Sequence, residues 1–151
     1  MKMRILVFED SFSVRKPLCL FLRRKGHEVL DFPSPVTCEL VVSKTCTCPL
    51  NHACADLVIT DMIMPEMSGL DLVRVLAEKG CKAPSQNKIV ISSVLTPEQE
   101  AEFRSLGCNY LRKPFELNTL EELLQTCEKN LSPTRKLIPL EELRKTCCKL
   151  H

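Results

Sequence analysis

The chain has 151 residues, 44% of them hydrophobic and 26% charged, the balance of a globular protein able to bury a single core. A formal charge of +2 is too small to generate a strong field for nucleic acid or an anionic membrane, so neither is expected as a partner. No apolar run approaches the roughly 20 residues a membrane span needs.

At the N-terminus the short apolar stretch Ile5 to Phe8 stops at Glu9-Asp10 instead of at a small-residue cleavage site. No signal peptide is expected, and a cytoplasmic protein is. Ten cysteines in a reducing compartment read as thiols or metal ligands before disulfides.

Arg4 to Phe8 lacks polar alternation and reads as a buried strand. Ser13 to Lys25 is predicted helical, with Val14, Leu18, Phe21 and Leu22 on one face, Pro17 awkward inside it and Gly26 as the stop. His27 to Phe32 is a second strand. Ser34-Pro35 is an N-cap signal for a short helix to about Lys44. Thr45 to Ala55 is rich in cysteine and has no period.

Leu57 to Thr60 is a third strand, ending at Asp61. Gly69 to Lys79 is helical, with Leu72, Val73 and Leu76 inward. Lys88 to Ser92 is a fourth strand, and Thr96-Pro97-Glu98-Gln99 has the capping-box pattern for a helix to Leu106. Tyr110 to Arg112 is a fifth strand. Phe115 to about Asn130 is a helix with Leu120, Leu123, Leu124 and Cys127 inward, broken by Ser132-Pro133. A short helix over Leu140 to Lys149 follows.

Short apolar strands alternating with helices call for an α/β fold with a parallel sheet covered on both faces. Right-handed crossovers put every strand's C-terminal end at one edge, where ligands of open sheets sit. That edge collects Glu9, Asp10, Asp61, Ser92 and Lys113. Three converging carboxylates are tolerable only around a cation, and an all-oxygen set suits magnesium. A carboxylate beside that cation can attack phosphorus to form an acyl phosphate, with Lys113 and Ser92 stabilising the transferred group.

Glu9-Asp10, Asp61-Met62-Ile63-Met64-Pro65-Glu66-Met67-Ser68-Gly69-Leu70, Ser92 and Tyr110-Leu111-Arg112-Lys113-Pro114-Phe115 together resemble the signature of two-component response regulator receivers, the CheY-like family. The resemblance runs from about Arg4 to Asn130. It implies a doubly wound five-stranded parallel sheet of flavodoxin-like order, 2-1-3-4-5. It further implies that Glu9 and Asp10 bind magnesium (or manganese) with Asp61 and the Ile63 carbonyl, and that Asp61 is the phosphoacceptor. Ser92 and Tyr110 become switch residues, and Lys113 the phosphate-binding lysine ahead of a cis Lys113-Pro114 bond. The implied donor is a sensor histidine kinase or phosphotransfer protein. The implied role is a self-phosphorylating acceptor that loses the group slowly, not a turnover enzyme.

The resemblance also has departures: the cysteine-bearing insertion, a segment before Tyr110 shorter by one residue, and Ser93 where alanine is common. No DNA-binding or enzymatic module is expected in the extension 132–151, so output is expected through a downstream partner or self-association at Glu98 to Leu106 and Tyr110 to Leu124.

Taken singly, Asp61 reads as a turn or capping aspartate, Lys113 as a solvated charge, Tyr110 as packing and Glu9-Asp10 as a helix cap. Their joint order at successive strand ends favours the phosphoacceptor. A phosphatase of the haloacid dehalogenase type needs a second Asp two residues after the nucleophile, where this chain has Ile63. A degenerate receiver acting only as an interaction module would have lost an acid or the lysine, and all are present.

Cys19, Cys38 and Cys127 read as small core residues. Cys46, Cys48, Cys54 and Cys81 lie in loops at the opposite sheet edge and are candidates for a closed structural zinc site, with His52 and Cys108 in reserve. Cys147 and Cys148 carry no reading.

Overall fold

The computed structural model describes residues 1–38, 41 and 52–147, the side chains of 144–147 excepted. In chain order the elements are β1 (Arg4–Phe8), α1 (Phe12–Arg24), β2 (Glu28–Phe32), β3 (His52–Ala53), β4 (Leu57–Asp61), α2 (Gly69–Glu78), β5 (Lys88–Ser92), α3 (Pro97–Leu106), β6 (Asn109–Arg112), α4 (Leu117–Lys129), β7 (Lys136–Leu137) and α5 (Leu140–Cys147). The main sheet is wholly parallel in the order β2-β1-β4-β5-β6. With the two-residue β3 set aside, this is the expected order 2-1-3-4-5.

The missing polar alternation in β1 has a direct cause, since the sheet is buried on both faces. Ile5 and Val7 enter one core cluster with Leu22, Leu57, Ile59, Ile89, Leu120 and Leu124. Leu6 and Phe8 enter another with Phe32, Val58, Leu72 and Leu76. Period 2 thus divides one apolar run between two cores. The Phe8 and Phe32 rings stack at 5.1 Å across neighbouring strands.

Helix ends follow local chemistry. Thr96 and Gln99 form the reciprocal capping box, and Gly107 ends α3 at φ 71°. Ser68 caps α2 by accepting from the Asp71 amide at 3.1 Å. Ser34 caps only a single 3-10 turn, Pro35–Thr37. Apart from Cys38 and Val41, both buried, the rest of the expected helix to Lys44 lies outside the described residues.

The structure corrects several expectations. Val14 does not face the core. It is 43% exposed, because it stands in the first turn of α1 and lines an open groove with Pro17, Leu18, Phe115 and Leu117. Helix α4 starts at Leu117, not Phe115. The cysteine-bearing segment contains a short strand that the sequence did not suggest, since His52–Ala53 pairs in parallel with Lys136–Leu137 of the C-terminal extension.

That extension is fastened to the body. Arg135 donates two hydrogen bonds to the Asp56 carboxylate, at 2.5 and 2.7 Å. Arg4, 5% exposed, pairs with Glu28 and donates to the carbonyls of Cys54 and Ile138. Asn87, fully buried, donates to the carbonyls of Asp56 and Cys127. Leu143 contributes an apolar side chain to the second core.

Candidate functional site

The C-terminal sheet edge gathers the residues that the strand ends promised. Glu9 follows β1 and Asp10 follows Glu9, held where the Glu9 amide donates to the Phe32 carbonyl at 3.1 Å. Asp61 ends β4, and each of Glu9, Asp10 and Asp61 offers a carboxylate oxygen within 4.8 Å of the others. Among the described residues this is the one group of three or more potential metal ligands found so close together.

Lys113 reaches the same place from beyond β6. Its amide donates to the Ser92 carbonyl at 2.8 Å, its bond to Pro114 is cis, and its Nζ lies 2.8 Å from Asp61 Oδ1. Gly69 packs against the other side of the phosphoacceptor candidate. A Cβ there would stand 2.4 Å from the Asp61 carbonyl oxygen, so only glycine allows α2 to begin this close to the strand end.

Three carboxylates share this edge with the single ammonium of Lys113. Glu9 is buried, and its carboxyl is raised from an ordinary 4.5 to about 7. Burial is the main cause; the Asp61 charge adds to it, while the Ser11 amide and Lys113 pull the other way. A divalent cation would relieve this repulsion, and three oxygen donors with open positions fit magnesium better than a softer metal.

Ser92 is buried, with its hydroxyl turned into its own loop. It donates to the Val94 carbonyl at 2.6 Å and accepts from the Val94 amide at 3.3 Å. Tyr110 is 42% exposed and its ring stacks on Phe103 at 5.9 Å, so here it faces outward. Ile63 and Val94 are 75% and 71% exposed, both in the loops that follow Asp61 and Ser92.

The cysteines divide as follows. Cys19, Cys38 and Cys127 are buried in the cores as expected. Cys54 and Cys81 pack in the second core, whereas Cys108 packs in a third beside Phe103. Burial raises the Cys19, Cys108 and Cys127 thiols to about 11. Cys46 and Cys48 lie outside the described residues. Within those residues no trio including Cys or His comes within ligand reach.

Sequence reading missed the supporting residues Arg15, Asp56 and Arg135. Arg4 was the available signal, because an arginine inside a fully buried strand requires partners elsewhere in the chain.

Comparison with known proteins shows the family and the fold. Residues 5–125 match the family model described as response regulator receiver domain. A probable transcriptional regulatory protein of Picosynechococcus is 32% identical over 128 residues, covering 83% of this chain and 48% of that protein. The structure of a response regulator receiver protein from Pseudomonas putida is 26% identical and superposes with a TM-score of 0.66, covering 83% of this chain and 98% of its own. The receiver domain of the sensor histidine kinase PA1611 from Pseudomonas aeruginosa, solved with magnesium coordinated in its active-site cleft, shares the fold at a TM-score of 0.62 and 20% identity, covering 83% and 97%. The chain spans about half the length, or less, of the curated relatives it matches. Among the described residues no helix is long and apolar enough to cross a membrane.

Proposed function

Because this chain belongs to the response regulator receiver family, we propose that it accepts a phosphoryl group on Asp61 and relays that event through a change of surface. The observation that carries this reading is the convergence of the Glu9, Asp10 and Asp61 carboxylates with the Lys113 ammonium in contact with Asp61. An Asp61 oxygen forms the new bond to phosphorus as the donor's bond to phosphorus breaks, and the donor keeps that electron pair. Lys113, already beside the acceptor oxygen, follows the negative charge onto the phosphoryl oxygens. The Ser92 hydroxyl leaves the Val94 carbonyl and donates to the phosphoryl group, which frees space for Tyr110 to turn inward.

Glu9, Asp10, Asp61 and the Ile63 carbonyl would hold magnesium, or manganese in its place, which when bound neutralises charge on the transferring group. The phosphodonor is a sensor histidine kinase or phosphotransfer protein. The chain acts in the cytoplasm as a stoichiometric acceptor, and the altered face, Glu98 to Leu106 with Tyr110 to Leu124, binds a downstream protein or a second copy. Acetyl phosphate with magnesium should therefore add one phosphoryl group to the wild type and none to Asp61→Asn.

A structural zinc held by Cys46, Cys48, Cys54 and Cys81 is the second reading for the far pole. The packing of Cys54 and Cys81 in one core cluster favours it. Metal analysis of protein purified without added zinc should show about one equivalent, lost in Cys46→Ser and in Cys48→Ser. Metal-free protein in which these thiols titrate would exclude it.

A further inference from the structure

We infer that Arg15 is a positioning residue for the acid pair, clasping the loop that carries Glu9 and Asp10 to the edge strand β2. This inference rests on the reading that these acids hold a divalent cation.

Glu9 and Asp10 occupy the three-residue link between β1 and α1, where their carboxylates face Asp61 and repel it and one another. Without some restraint, such a link would relax outward and the acids would separate. The Arg15 guanidinium supplies the restraint. From the first turn of α1, its Nη1 donates to the Glu9 backbone carbonyl at 2.7 Å while its Nε donates to Asp31 Oδ2 at 3.0 Å. The Arg15 side chain is only 13% exposed, so its bond to the Glu9 carbonyl is partly shielded from water, while Asp31 keeps a solvent-facing side. Asp31 is itself held by Arg23 at 3.2 Å, which anchors the far end of the clasp on β2.

A third hydrogen bond closes the ring, since the Arg15 amide donates to the Ser11 carbonyl at 2.8 Å. Residues 9–15 are thereby pinned at both ends. The planar fork of arginine is what lets one side chain hold a carbonyl and a carboxylate in fixed directions; lysine has the charge but not the geometry. Arg15 bonds to the Glu9 carbonyl and not to the Glu9 or Asp10 carboxylate, so it acts through the backbone. Residues of this kind commonly change metal affinity by about tenfold or more when replaced.

Calorimetric titration of the full chain with magnesium chloride tests the inference. Arg15→Gln should bind magnesium about tenfold more weakly, and Arg15→Lys should fall between it and the wild type. The magnesium concentration that half-saturates phosphorylation by acetyl phosphate should rise in step. The rate at saturating magnesium should fall by a smaller factor, a split that a merely structural role would not produce. Unchanged magnesium affinity in a folded Arg15→Gln would overturn the clasp. Should that variant fail to fold, Asp31→Asn, which weakens only the outer anchor, must still lower the affinity, and an unchanged value there overturns it equally. A wild type that takes up no magnesium would remove the metal reading itself, an outcome distinct from normal binding in wild type and variant alike.

Discussion

Lys113 Nζ and Asp61 Oδ1 stand 2.8 Å apart, so the ammonium already rests on the proposed acceptor. The side chain of Lys113 is one-third exposed and that of Asp61 only 11%, which gives the lysine freedom to move while the aspartate stays fixed. Replacing Lys113 with Ala should leave Asp61 able to accept phosphate but uncouple that event from the switch. Amide chemical shifts on adding beryllofluoride and magnesium should change over Glu98 to Leu106 and Tyr110 to Leu124 in the wild type and stay nearly still there in Lys113→Ala. Shifts that avoid this face in the wild type would place the switch elsewhere. The equilibrium we propose lies between the outward Tyr110 seen here and an inward one.

The lifetime of the phosphoryl group should be long. Ile63 and Val94 flank the site, are largely exposed, and offer no group able to orient an attacking water. Ile63→Asn with Val94→Glu should speed loss of phosphate, read as the decay of acid-stable label. Unchanged or slower decay would contradict the role given to these two positions.

The C-terminal extension should contribute to stability rather than trail from it. Asp56 is 1% exposed and receives two hydrogen bonds from Arg135, so Arg135→Ala leaves a buried carboxylate short of its partner, a loss of about 3 kcal/mol. Leu143→Ala opens a cavity in the second core at a cost of about 3 kcal/mol. Urea unfolding midpoints at constant slope check both. Two variants as stable as the wild type would mean that the extension is only laid on the surface.

Stability should depend on pH through His27. Its Nδ1 accepts from the Met3 amide at 3.1 Å, which requires the neutral ring, and burial lowers its pKa below the ordinary 6.5 although Glu128 opposes the shift. Between that lowered value and 6.5 the unfolded chain binds a proton that the folded chain refuses. The His27 contribution is therefore complete above 6.5 and declines as pH falls. Glu9 acts in the opposite sense, because its raised pKa of about 7 makes the folded state bind the extra proton as pH falls toward 4.5. The difference between wild type and His27→Asn isolates the histidine. Wild type should lose stability relative to the variant on acidification below 6.5, and parallel curves would refute the assignment.

The sheet was legible in the sequence because a doubly covered parallel strand is apolar throughout, and β1, β4 and β5 are buried along their whole length. The site was legible because its residues sit at strand ends, where topology alone brings Glu9, Asp61 and Lys113 together. The far pole was not. The β3–β7 pair joins residues 84 positions apart through two-residue strands, too short to carry a period (His52 to Lys136 and Ala53 to Leu137). The Arg135–Asp56 pair spans 79 residues and leaves no spacing signal in either neighbourhood. Val14 misled because helical periodicity marks a face, and near a helix's first turn that face can extend past the core it follows.

The most direct test of the account is the chemical location of the phosphoryl group. Protein treated with acetyl phosphate and magnesium, then reduced with borohydride to trap the acyl phosphate, should yield one modified peptide whose altered residue is Asp61. The label should require magnesium, survive acid, disappear in base, and be absent from Asp61→Asn. A trapped residue other than Asp61, or equal labelling of Asp61→Asn, would contradict the account at its centre.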